Sequence, residues 1–283
     1  MTTVVVHGGV SGVARRELPP LDHALARAVH LARALDAVES AVTALEDDPA
    51  LNAGYGAVLN IDGELELDAG IADGASRRAA GIAGVSLRHP ISLARRVLET
   101  TPHVLVTGAG ACALGSDMEK LNDTTPEQRE RWQRARAAGR LTPEHFAAAE
   151  HVDTVGAVAL DGGGRLAAGS STGGVFGQMP GRVGDAPVFG AGVYASPDAA
   201  AVGTGVGELF LQTLACLRVG ELIEDGMDPQ QACEAVIASL GKRSSAAAGV
   251  LALDARGRIG AAYRGGAWAV TGPEGPIEAH RLD

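Results

Sequence analysis

Aromatic side chains are scarce in this sequence: four Phe, three Tyr and two Trp, 3% of 283 residues. A core must therefore be assembled from Val, Leu, Ile and Ala. Positive charge is also short, with 24 Lys and Arg against 34 Asp and Glu, for a net charge of −10. No basic patch is available to neutralise phosphates, which argues against nucleic acid as a partner. The three cysteines, Cys112, Cys216 and Cys233, are widely spaced. They form neither a disulfide framework nor a metal-ligand spacing, which suits a reducing cytosol. There is no long apolar run, and Met1-Thr2-Thr3 leads straight into Val4-Val5-Val6 with no basic segment before it. The expectation is a cytoplasmic chain with neither a signal peptide nor a membrane partner.

What the chain has in excess is glycine: 39 residues, about twice the usual share. Without a repeat period, they imply tight turns and close backbone contacts. Thr3 to Gly12 reads as a buried strand running into a glycine turn, whose Gly8-Gly9 could cradle an anion. Leu21 to Leu45 carries apolar residues at helical spacing and is long enough to break near its middle. Ala57–Ile61 and Leu65–Ala69 read as strands joined through Asp62-Gly63. Ala79–Val85 is a further strand, Ile91–Glu99 a helix led by Pro90, and His103–Thr107 a short strand. Residues 117–153 change character. Glu127 to Ala138 is nearly all charged and polar, and Thr142 before Pro143 can cap a short helix. With little to bury, this stretch reads as a mobile linker. Helices are expected over Leu209–Val219 and Gln230–Leu240, with a hairpin near 247–263. Blocks of strands and helices, without strict alternation, predict an α+β fold with largely antiparallel sheets.

The centre of the sequence is His151-Val152-Asp153-Thr154, followed by the apolar run Val155–Leu160. Asp161-Gly162-Gly163-Gly164 then turns the chain, and Arg165 to Thr172 runs back as a hairpin. The hairpin brings Thr154 and Thr172 to one edge of a sheet. An internal threonine lacks a base for its hydroxyl. Cutting the Asp153–Thr154 bond would give Thr154 a free α-amine, with a pKa of about 7.7–8.0, as in threonine–amine catalysis. Asp-Thr is equally how an ordinary strand begins. Thr172 could orient the hydroxyl of Thr154. Arg182 and Asp185 could clamp the carboxylate and amine of an amino acid, or simply pair with each other. Thr204-Gly205 before a helix could hold an oxyanion, or serve as a cap. His7 and His151 read as structural.

Several segments together resemble the plant-type asparaginase/isoaspartyl peptidase family. They are Thr154–Asp161, Ser171-Thr172-Gly173-Gly174, Pro180–Asp185, Gly203-Thr204-Gly205-Val206-Gly207-Glu208, His7-Gly8-Gly9 and Asn52–Val58. The resemblance covers nearly the whole chain. It implies a four-layer αββα sandwich of the N-terminal-nucleophile hydrolase type, one domain over 1–283 that cuts itself into 1–153 and 154–283. It further implies Thr154 as nucleophile and base, Thr172 as its support, and Thr204 and Gly205 as the oxyanion hole. Arg182 and Asp185 would hold the substrate's α-groups, with Asn52 and Gly207 lining the pocket. No cofactor is implied for catalysis. A structural sodium ion is implied, held mostly by backbone carbonyls of Leu45, Glu46, Asp48, Leu51, Ala53 and Tyr55. The implied partners are an amino-acid or dipeptide substrate and a second processed copy of the chain.

Two departures stand out. Asp153 before Thr154, with His151 just upstream, is closer to the related glycosylasparaginases. Tyr263 to Trp268 replaces the family's usual Asn-Thr-x-Gly-Met segment, which bears on the outer pocket. The expected activity is hydrolysis of L-asparagine and β-aspartyl dipeptides. The alternatives are a glycosylasparaginase-like hydrolase, a small-acid kinase reading Val6-His7-Gly8-Gly9 as a phosphate loop, and a protein that never cleaves itself.

Overall fold

The structure, a computed structural model, describes residues 2–11, 19–141 and 154–283. His151, Asp153, Gly12 and the cap expected at Thr142 lie outside the described residues. In chain order the elements begin with β1 (Thr3–Ser11), α1 (Asp22–Ala28), α2 (Ala34–Asp47) and a 3-10 turn (Gly54–Gly56). Next come β2 (Leu67–Asp73), β3 (Arg78–Val85), α3 (Pro90–Thr100), β4 (Leu105–Thr107), α4 (Gly108–Leu114) and α5 (Pro126–Ala137). The central hairpin is β5 (Val155–Leu160) and β6 (Leu166–Thr172), followed by β7 (Val193–Ala195), β8 (Ala199–Gly205), α6 (Gly207–Thr213), α7 (Ala215–Glu224) and α8 (Pro229–Gly241). The chain closes with β9 (Ala248–Asp254), β10 (Ile259–Arg264), β11 (Ala267–Gly272), β12 (Gly275–Pro276) and β13 (His280–Arg281).

The strands form two sheets, in the orders β12-β11-β1-β5-β6-β2-β3-β4 and β13-β10-β9-β8-β7. All pairings but β3–β4 and β10–β13 are antiparallel. Side chains alternate across a strand, and here both faces are apolar. Val4, Val6, Ala157 and Ala159 pack with α1, α2 and α3, while Val5 and Val158 meet Ala200, Val202 and Leu251 of the other sheet. The far face of the smaller sheet, with Ala199, Ala201, Val250 and Ala252, packs on Cys216, Val219, Val236 and Ile237 of α7 and α8. Small and branched residues thus do the work of the missing aromatics. The larger sheet carries the central hairpin, with Thr154 at its head.

Local expectations met four corrections. Ala57–Ile61 is not a strand. Val58 N donates to Asn52 Oδ1, Leu59 O accepts from Gly177 N and Ile61 N donates to Gln178 O, so its backbone is satisfied by a side chain and a loop. The strand after it begins at Leu67. The glycines after His7 do not form a phosphate loop: β1 continues through them to Ser11, with a register shift between His7 and Val10. The helix expected over Leu209–Val219 is two helices, α6 and α7, parted at Leu214 with φ +50°. Finally, the polar stretch 126–137 is a helix capped by Thr125, and it buries Trp132. That indole packs among Ala57, Leu59, Leu65 and Leu121 and donates Nε1–H to Asn60 O at 2.9 Å. Trp132→Ala should cost about 3–5 kcal/mol, read as a fall in the chemical-denaturation midpoint.

Candidate active site

Strand register explains how the site residues meet. In β2, Asp68 lies opposite Thr172 of β6, and the neighbouring pair Val155–Ser171 places Thr154 beside Thr172. Thr154 and Thr172 are 2% and 3% exposed, with their hydroxyl oxygens 3.4 Å apart. Thr172 Oγ1 also accepts from Gly174 N at 3.0 Å, which fixes the hydroxyl. The chain leaving β6 is bracketed by Asn52. Asn52 Nδ2 donates to Gly174 O at 2.8 Å, its backbone carbonyl accepts from Gly173 N, and its Oδ1 accepts from Val58 N.

A second group comes from the 182–185 loop and the start of α6. Arg182 directs Nε and Nη2 at the two carboxylate oxygens of Glu208, each at 3.0 Å. Nη1 approaches Gln178 Oε1 at 3.4 Å. Among the described residues, the carboxylate that Arg182 pairs with is therefore that of Glu208, where Asp185 was the expected partner. Asp185 is buried, and its Oδ2 has no hydrogen-bond partner among the described residues. Gly207 sits between the two: a Cβ there would lie 2.8 Å from Arg182 Nη2 and 2.9 Å from Asp185 Oδ1. Only a residue without a side chain lets the guanidinium and carboxylate converge.

Burial dominates the electrostatics. It pushes the Asp185 carboxyl up to about 7, with Arg182 pulling the other way. It raises Asp68 to about 6, against hydrogen bonds from Gly184 and Gly84 and the charge of Arg182. Burial also works against the charge of Glu208, but the bonds and charge of Arg182 prevail and hold it below the usual carboxylate range. His7, fully buried, is pushed down to about 3 and is neutral. Its Nδ1 accepts from Gly9 N, and its ring lies 5.5 Å from that of Trp268.

Thr204, at the end of β8, is fully buried, and its Oγ1 accepts from Val10 N at 3.2 Å. With that lone pair engaged, the hydroxyl proton points elsewhere. Gly205 follows with φ +147°. The loop around the Gly54–Gly56 turn gathers carbonyls: a Cβ on Gly56 would meet Leu51 O at 2.0 Å, Pro49 O at 2.9 Å and Asp48 O at 3.1 Å. Glu46 O similarly crowds Gly54. Leu45 O accepts from Asp48 N, Ala53 O from Gly56 N and Tyr55 O from the Thr124 hydroxyl.

Sequence reading missed Glu208, Gln178 and Asp68 as members of this cluster. Glu208 was readable as a carboxylate for Arg182, whereas Asp68 leaves no signal in an alternating strand. Asn52→Ala would strand Gly174 O and Val58 N at once, for about 2–4 kcal/mol. Equilibrium unfolding in urea measures this.

Comparison with known proteins agrees with the geometry. The family described as Asparaginase matches residues 2–271. The plant-type L-asparaginase of Pyrococcus abyssi is 38% identical over 284 residues, 92% of each chain. The isoaspartyl peptidase of Salmonella typhimurium is 39% identical over 281 residues, 90% of each. The isoaspartyl peptidase/L-asparaginase of Macaca fascicularis is 39% identical over 250 residues, 80% of each. The hydroxyl pair at the head of β5, the clamp loop and these likenesses lead to one conclusion: this chain belongs to the asparaginase family.

Proposed function

We propose that this protein is a threonine amidohydrolase that cleaves the side-chain amide of L-asparagine and of β-aspartyl dipeptides, releasing L-aspartate. The observation that carries the reading is buried Asp185 near Arg182, its Oδ2 without a hydrogen-bond partner among the described residues. A buried acceptor without a partner is costly, and a substrate ammonium supplies one. With Nε and Nη2 held by Glu208, Arg182 would turn Nη1 to the α-carboxylate, so an amino acid with both α-groups free satisfies the clamp. The names of the relatives above support the same substrates.

In the mechanism, the bond before Thr154 is first opened by the chain itself, freeing the α-amine. The amine takes the proton of the Thr154 hydroxyl as its oxygen attacks the substrate's side-chain carbonyl. Thr172 holds that hydroxyl in place. The Thr204 hydroxyl and the Gly205 N–H stabilise the tetrahedral oxyanion. The amine returns the proton to the departing nitrogen, leaving a β-aspartyl ester on Thr154. Water, deprotonated by the same amine, then splits the ester and restores the enzyme. A glycosylated asparagine presents the same α-groups, and its glycan would have to pass beside Tyr263 to Trp268.

The architecture that supports this chemistry is read as the four-layer αββα sandwich of N-terminal-nucleophile hydrolases, since three apolar layers separate helices, sheet, sheet and helices. A sodium ion is proposed beside Gly56, where the carbonyls of Asp48 and Leu51 crowd together. Leu45, Glu46, Asp48, Leu51, Ala53 and Tyr55 would hold it through backbone oxygens, and it would neutralise their converging dipoles. A homodimer is proposed from the edge strand β4, where Leu105 and the preceding Val104 are 46% and 58% exposed. A cytoplasmic location is proposed from the free Cys112, Cys216 and Cys233; among the described residues, no helix is long and apolar enough to cross a membrane.

Two experiments test the reading. Wild-type protein stored at neutral pH should give two fragments by intact mass, breaking at 153/154. Thr154→Ala should stay at 28.6 kDa and lose turnover entirely. A wild-type chain that stays intact yet hydrolyses asparagine would overturn the role of the amine. Second, protonation of Asp185 below pH 7 removes the charge that grips the ammonium. Calorimetric affinity for L-aspartate should then fall about tenfold per pH unit below 7, while affinity for succinate, which lacks the ammonium, should not follow.

A further inference from the structure

Asp68 is 1% exposed, and the mechanism above leaves it without a task. Its carboxylate oxygens reach two separate parts of the chain. Oδ1 accepts from Gly84 N at 3.0 Å, and Oδ2 accepts from Gly184 N at 3.0 Å. Gly84 lies where the β2–β3 pairing loses register, between Leu67 and Ala69, and has φ +68°. Such an irregularity leaves an N–H outside the ladder, and Asp68 takes it. Gly184 lies inside the clamp loop. Arg182 Nη1 presses on it, 2.9 Å from where a Cβ would stand. Asp68 also sits opposite Thr172, the residue that contacts Thr154.

One carboxylate therefore touches the clamp loop and a bulge in β3 from a strand position beside Thr172. We infer that Asp68 is a positioning residue for this reaction, setting the separation between the Arg182–Asp185 clamp and the Thr154 hydroxyl. The inference rests on the functional reading above. Neighbouring strands stand about 4.8 Å apart, so Thr172 and Asp68 form a rigid base. The bond to Gly184 N carries that rigidity to a loop that has no strand of its own. Both bonds from Asp68 are charge-assisted. Asparagine at 68 could accept one of them, but its amide nitrogen would then face the other N–H, donor against donor. The clamp loop would shift, and substrate binding would suffer while Thr154 and Thr172 keep their contact.

The test is Asp68→Asn, comparing kcat and KM for L-asparagine, calorimetric affinity for L-aspartate, and cleavage at 153/154 with those of wild type. The expected result is complete cleavage, kcat within about threefold, and KM and Kd raised about tenfold or more, the scale of one lost charge-assisted bond. A stabilising role alone would lower Tm and leave KM unmoved. Unchanged KM and Kd, or a fall in kcat alone, overturns the inference while the functional reading stands. A wild-type enzyme that neither binds L-aspartate nor hydrolyses asparagine overturns both. If Asp68→Asn does not fold, Gly84→Ala replaces it. That change meets open space but strains a left-handed backbone, loosening the strand bulge that Asp68 holds. A raised KM in Gly84→Ala then supports the inference, and an unchanged KM overturns it.

Discussion

The contact between the hydroxyls of Thr154 and Thr172 is possible only because the β5–β6 hairpin holds its register. A slip of one residue would turn every side chain to the opposite face and send Thr154 toward the helices. Register is secured on both sides, by β1 against β5 and by β2 against β6. It is also secured by burial, since Val158 and Ala168 must face the second sheet while Ala157 and Ala167 face α2. Thr154 is thus placed by the whole sheet, whereas Arg182 and Asp185 lie on the loop beyond β6.

That loop concentrates charge where water is scarce. Three carboxylates, Asp68, Asp185 and Glu208, act on the single guanidinium of Arg182. Burial raises Asp68 and Asp185, with Arg182 only opposing it, and the paired Glu208 alone is held down. Charges that cannot be settled internally mark functional sites. Here the surplus is negative.

The two threonines were legible in the sequence because the hairpin is local: a turn of three glycines between two apolar runs admits little else. The α1–α2 helices were legible from their 3.6-residue period, though the Asp161 carboxylate that accepts from Ala34 N, 127 residues away, was not. Ala57–Ile61 looked like a strand because apolar character persists, but its hydrogen bonds are decided by Asn52 and Gln178. Trp132 was hidden by its charged neighbours on a helix that buries little else. Asp68 was unreadable for a different reason, since an acid in a strand reveals its burial only when its partners, 16 and 116 residues distant, are in place.

The strand order has a consequence for the life of the molecule. Strands from before residue 141 and strands from after residue 154 interleave: β1 lies between β11 and β5, and β2 lies on β6. Opening the backbone ahead of Thr154 would cut the covalent thread without loosening the weave. The two pieces would remain one particle, and neither could be made alone and added later, because each lacks the neighbours that give its own strands an edge to join.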